Sequence, residues 1–229
     1  MNKEYFYNKY DEELTKINKE LPRLDELSSS YSKQAYILML YAHFEGFVYR
    51  ISRDFFNVLL EVHKSGMHLN AHYNFCISLF DNTLNYKQHY SNIWSKFVKI
   101  KKEFVNDKKN KLIDMNDNIG YEIFKYTLFL VNISEHKQIS PKFYTKKLDE
   151  KQKNLTRNYL YYKDTINELL EKRNDIAHGN QKILDDNFIN IDNIDEMSNC
   201  IKVVLRQYKE DLYEILENEK YLLEWKISF

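Results

Sequence analysis

At 229 residues the chain is long enough to bury a sizeable core and is expected to form one domain over residues 1–229. Only four glycines and two prolines speak against a β-rich fold with many tight turns, and 34 basic residues balanced by 34 acidic ones speak against a protein wrapped uniformly in nucleic acid, though a local basic face remains open. The two cysteines, Cys76 and Cys200, form no C-x-x-C pair, Met1–Tyr5 is polar, and no run of about 18 apolar residues occurs, so a zinc ribbon, a secretory leader and a membrane span are not expected and a reducing, cytoplasmic location is.

Phe6, Tyr10, Leu14, Ile17 and Leu21 recur at steps of three or four, which predicts an amphipathic helix stopped near Pro22. Leu24 and Leu27 are expected to pack where the chain turns. Ser28, Ser29 and Ser30 offer caps for a long second helix from about Ser30 to His63, ending at Gly66. Positions 35–48 are apolar nearly all round, so this helix is expected to be central. Glu45 stands out there, because a buried carboxylate needs a cation or a donor. Arg173, His178, Arg50 or a tyrosine hydroxyl could serve. Gly46 beside it suggests a close helix crossing.

His68 and His72 are four apart, but no further ligand has suitable context, so no metal site is expected. Cys76, Ile77, Leu79, Phe80 and Leu84 suggest a short packed helix. Ile93, Trp94, Phe97, Val98, Ile100 and Phe104 suggest another. It is interleaved with Lys96, Lys99, Lys101 and Lys102, the best candidates for contact with an RNA backbone. Residues 121–131 read as helical and 133–154 as a polar loop. A final amphipathic helix is expected over about 195–221, with Met197, Ile201, Val204, Leu205, Tyr208, Leu212, Ile215 and Leu216 inward.

Between these lies Glu171-Lys172-Arg173-Asn174-Asp175-Ile176-Ala177-His178-Gly179-Asn180, closing a helix for which Thr165 offers an N-cap. Gly179 sits where a left-handed C-terminal cap is expected, which puts His178 in the last turn. Asn174 and His178 are four apart, so the amide is positioned to orient the imidazole. Arg173 lies five before His178, roughly 140° round an ideal helix. A permanent cation, a titratable acid/base and a polar orienter suit chemistry on a phosphate. Spacing alone is weak, since a basic helix terminus is common. Phosphate-cradling glycine loops, G-x-S-x-G and paired carboxylates are absent.

Arg173–Gly179 resembles the R-x4-6-H signature of the HEPN superfamily, including the polar residue after the arginine. Ile37-Leu38-Met39-Leu40-Tyr41-Ala42-His43-Phe44-Glu45-Gly46-Phe47 is similar to the early-helix motif of MAE-type HEPN-like nucleases, and Asn118–Lys125 to a mid-chain segment there. The resemblance runs from about residue 30 to the C-terminus. It implies an all-α, HEPN-like helical bundle with extra helices and loop insertions, its core helices at about 30–65 and 156–221. It also implies a metal-independent endoribonuclease of a toxin or phage-defence system. Arg173 and His178 would be catalytic, with Asn174 and Glu45 supporting them. A homodimer would share a composite site, an antitoxin or defence-system partner is possible, and neither cofactor nor membrane is expected. Some HEPN toxins carry a modified tyrosine two residues after the histidine; here Asn180 stands there, which speaks against that regulation. The alternative is a non-catalytic HEPN module binding RNA, nucleotide or a partner protein.

Overall fold

The structure, a computed structural model, describes residues 3–80, 119–133, 159–179 and 190–223. Six α-helices occur among them: α1 (Lys3–Glu20), α2 (Ser30–Lys64), α3 (Ala71–Phe80), α4 (Tyr121–Leu130), α5 (Lys163–His178) and α6 (Ile191–Glu217). Short 3-10 turns at Leu24–Glu26 and Tyr159–Tyr162 precede α2 and α5. No strand occurs among the described residues beyond an isolated bridge between Leu69 and Leu222. The fold is therefore all-α, as expected, and no described helix is long and apolar enough to cross a membrane.

Helix α2 is the spine, packing against α1, α3, α5 and α6. A reciprocal capping box starts it: the Ser32 amide donates to Ser29 Oγ and the Ser29 amide to Ser32 Oγ, both at 3.1 Å. Tyr36, Ile37, Leu40, Tyr41, Phe44, Phe47, Val48 and Ile51 all face inward, as the near-continuous apolar run implies. Against them α6 lays its stripe of Met197, Ile201, Val204, Leu205, Tyr208, Leu212, Ile215 and Leu216, every one buried. Each such side chain removed from water contributes on the order of 1.5–3 kcal/mol. The core is not wholly apolar. Tyr36 and Ser198 hydroxyls meet at 2.7 Å, Ser52 and Tyr208 hydroxyls at 2.7 Å, and Tyr159 and Gln207 both donate to the Asp211 carboxyl at 2.8 Å. These pairs satisfy buried polar atoms and fix the register of α6 on α2 and on the turn leading into α5.

Helix α1 closes one side through Phe6, Tyr10 and Ile17. Lys9 and Tyr10 both donate to Asp54 of α2, and the buried Lys209 of α6 pairs with Asp11 at 2.8 Å. Leu27 is buried at the turn, and Leu24 packs there half-buried.

Three local expectations are corrected. Thr165 is not the N-cap of α5. The Tyr159–Tyr162 turn runs straight into the helix at Lys163, so Thr165 already lies in the first turn, hydrogen-bonded to Cys200 of α6. Gly46 does not mark a helix crossing: a Cβ there would meet Arg50 Nη1 at 2.8 Å, so the glycine makes room for the arginine that folds back to Glu13 of α1. Helix α6 starts about a turn earlier than the apolar pattern suggested, because Asn190 caps it by accepting the Asp192 amide at 3.1 Å. The helix expected over 92–105, with Lys96, Lys99, Lys101 and Lys102, lies outside the described residues, as does all but Ile133 of the loop expected over 133–154.

Candidate functional site

Helix α5 is held to the core by Ile166 and Leu169, both fully buried, with Leu170 and Ile176 half-buried against it, and is exposed at its end from Ala177 to Gly179. Gly179 ends it in the left-handed conformation, φ 64° and ψ 35°, which a residue without Cβ adopts without strain. His178 is exposed in that last turn, at the negative end of the helix dipole.

Arg173 lies one and a half turns earlier and is half-buried. Its guanidinium carbon sits over the ring of Tyr41 on α2, 5.4 Å from the centroid. Nη1 donates to Oδ1 of Asn174 at 2.9 Å. Arg173 forms an ion pair with none of the described carboxylates. No described carboxylate therefore cancels its positive charge.

Tyr41 is 3% exposed, and its hydroxyl donates to Glu45 Oε1, one turn along α2, at 3.0 Å. The Ile119 backbone also hydrogen-bonds the phenol. Burial first, then the neighbouring Glu45 carboxylate, hold the Tyr41 pKa well above the ordinary phenol range, against a smaller opposite pull from Arg173. Tyr41 is thus a neutral donor with a fixed ring. Glu45 meets a tyrosine hydroxyl and reaches Arg173 only through that ring, while Arg50 is engaged with Glu13. His43, in the same motif, turns to α1, where Nε2 is 3.6 Å from Glu20.

The start of α4 completes the arrangement. Asn167 of α5 accepts the Tyr121 amide at 3.0 Å, capping α4 from another helix. A Cβ at Gly120 would meet Leu170 Cδ2 at 2.8 Å, so the glycine permits the close approach. The three stretches that carry the resemblance, in their described residues 37–47, 119–125 and 173–179, come together through Tyr41, Ile119–Tyr121 and Arg173.

One expectation within the site fails. The Asn174 side chain gives its amide oxygen to Arg173, and no side-chain hydrogen bond joins it to the His178 imidazole. The long arginine side chain folds round onto its neighbour, while His178 stands exposed in the last turn. Nor does a hydrogen bond link Arg173 to His178 within one chain. Tyr41, Ile119 and Asn167 were not singled out by sequence. The one readable signal was the i, i+4 pair of Tyr41 and Glu45.

Among the described residues no group of three or more His, Cys, Asp or Glu side chains is placed to hold a metal ion. Of the His68–His72 pair, His72 donates Nε2–H to the Leu130 carbonyl at 3.0 Å and packs edge-on against Tyr73 and Phe129.

A family model described as RiboL-PSP-HEPN matches residues 5–214, a span that takes in all three converging stretches. No curated protein and no solved structure matches the chain. The MAE-type character of residues 37–47 remains a resemblance. With an all-α fold and a family match over most of its length, the chain belongs to the RiboL-PSP-HEPN family of the HEPN superfamily.

Proposed function

We propose that the protein is a metal-independent endoribonuclease, the effector of a toxin or phage-defence system, with Arg173 and His178 as its catalytic residues. The observation that carries this reading is the Arg173 guanidinium, held by Tyr41 and Asn174 with no neutralising carboxylate among the described residues, on the helix that ends in the exposed His178. Cleavage begins with the RNA's own 2′-hydroxyl attacking the adjacent phosphorus. A base takes the hydroxyl proton, an acid gives one to the leaving 5′-oxygen, and the phosphorus–O5′ bond breaks. Imidazole serves in either role near neutral pH. Arginine stabilises the charge gathering on the phosphorane oxygens through its forked donors. One imidazole cannot hold both roles at once. Two copies of the chain meeting across a twofold axis divide them, so the active species is a homodimer with both Arg173–His178 units in one cleft. Lys96, Lys99, Lys101 and Lys102 are proposed to contact the RNA backbone, and Glu45 and Asn174 to support the site.

The second reading, a HEPN module that binds RNA or a partner without cutting, is favoured by one fact: Arg173 and His178 share no hydrogen bond within the chain. Total RNA incubated with the pure protein in EDTA separates the two. Fragments ending in 2′,3′-cyclic phosphate and 5′-hydroxyl are expected. RNA left intact by a folded protein at all concentrations supports the binding module.

A further inference from the structure

Arginines that act on phosphates need to be held in place, and the usual holder is a carboxylate. A carboxylate partner cancels the charge and occupies the donors that the phosphate requires. Arg173 is held differently. Its guanidinium lies over an aromatic face, and the carboxylate in the neighbourhood, Glu45, is engaged by the hydroxyl of that same ring. We propose that Tyr41 is a positioning residue for Arg173, its ring fixing the guanidinium at the helix end while leaving the charge available to the scissile phosphate. The inference rests on the reading of Arg173 as the residue that steadies that phosphate.

The geometry is suited to the task. Tyr41 projects from the central helix and is anchored at both ends, at Cα by α2 and at the hydroxyl by Glu45 and the Ile119 backbone. The phenol donates its proton toward a carboxylate, which enriches the ring in electron density and deepens its attraction for a cation. Helix α5, which carries Arg173, is registered on the same frame, because Asn167 caps α4 two residues beyond Ile119 and Leu170 closes over Gly120. Ring and guanidinium are therefore fixed relative to each other by contacts on either side. An Arg173 freed from the ring would keep its charge and lose its direction, so turnover would suffer more than RNA affinity.

The test is steady-state cleavage of a fluorophore–quencher RNA of mixed sequence by wild type, Tyr41→Phe, Tyr41→Leu, Arg173→Ala and the Tyr41→Leu/Arg173→Ala double variant. Tyr41→Leu is expected to lower kcat by about tenfold with KM little changed, Tyr41→Phe, which keeps the ring but releases Glu45, to fall between Tyr41→Leu and wild type, and the double variant to be no slower than Arg173→Ala. A wild-type kcat in Tyr41→Leu, or losses that multiply in the double variant, overturns the role of Tyr41 and leaves that of Arg173 standing. A wild-type rate in Arg173→Ala overturns the reading of Arg173 itself, and the inference with it. Because Tyr41→Leu removes a buried ring, the contact is also read in the unaltered protein. Arginine side-chain NMR signals of Arg173, assigned with Arg173→Lys, are expected upfield from ring current. Random-coil positions overturn the inference without recourse to any core variant.

Discussion

Asn174 turns its amide oxygen to Arg173 and not to His178, at 2.9 Å from Nη1. A neutral acceptor orients the cation and leaves its charge intact. Asn174→Asp puts a full negative charge at the same point and converts the contact into an ion pair. If Arg173 stabilises charge on a phosphorane, Asn174→Asp is expected to lose about tenfold or more in single-turnover rate, and Asn174→Ala markedly less. Equal rates for the two variants would show that charge at Arg173 does not govern cleavage.

Gly120, the N-cap of α4, lies close against α5. A methyl group there meets Leu170 Cδ2 at 2.8 Å. The obstacle is the end of a side chain, so it yields partly, and Gly120→Ala is expected to cost about 1 kcal/mol of stability as a mild case of overpacking. Arg173 sits one turn beyond Leu170, so the same variant is expected to slow cleavage more than its small stability loss explains. Urea unfolding and a cleavage assay on one sample check both. Wild-type values in both would mean that α5 is not placed by this contact.

The split between what the sequence made legible and what it did not follows the range of the forces involved. The Gly179 cap, the Ser29 start of α2, the stop near Pro22 and the α6 stripe are local or periodic signals, and each was readable from neighbouring residues. The Arg173–Tyr41 contact was not, because it joins two helices far apart in the chain and depends on how α5 docks. Asn174 was assigned to the wrong partner for a related reason. The i, i+4 rule says which side chains share a face and can meet, not which acceptor a long flexible donor reaches first, and the Arg173 guanidinium reaches the residue next to it. Thr165 failed as a cap because a 3-10 turn upstream lengthened the helix, and tyrosine-rich turns carry no clear starting signal.

Acid is expected to loosen the fold in two steps. Burial, opposed by hydrogen bonds to the Leu130 and Phe129 backbone, lowers the His72 pKa below its usual 6.5, and burial also lowers that of His43. The unfolded chain then takes up protons first. Stability from these groups is complete above pH 6.5 and is lost as pH falls through their native values. Asp54 adds a later loss. Desolvation raises its pKa, but hydrogen bonds from Lys9 and Tyr10 outweigh that and leave it below 3.8, so its contribution goes as pH falls beneath 3.8. Urea midpoints are expected to be flat from pH 6.5 to about pH 8, below the range where the buried Cys76 thiol matters, and to decline below pH 6.5, with a shallower decline in His72→Gln. An unchanged slope in that variant would remove His72 as a source of the effect.

The most direct measurement is single-turnover cleavage of RNA in EDTA by wild type and by His178→Ala, with circular dichroism and sedimentation run on the same preparations. His178 is exposed beyond the core, so its truncation is expected to leave helix content and mass unchanged. Loss of cleavage by at least about a hundredfold is the expected result, since proton transfer by a positioned imidazole contributes on that scale. A folded His178→Ala protein cutting RNA at the wild-type rate would contradict the assignment.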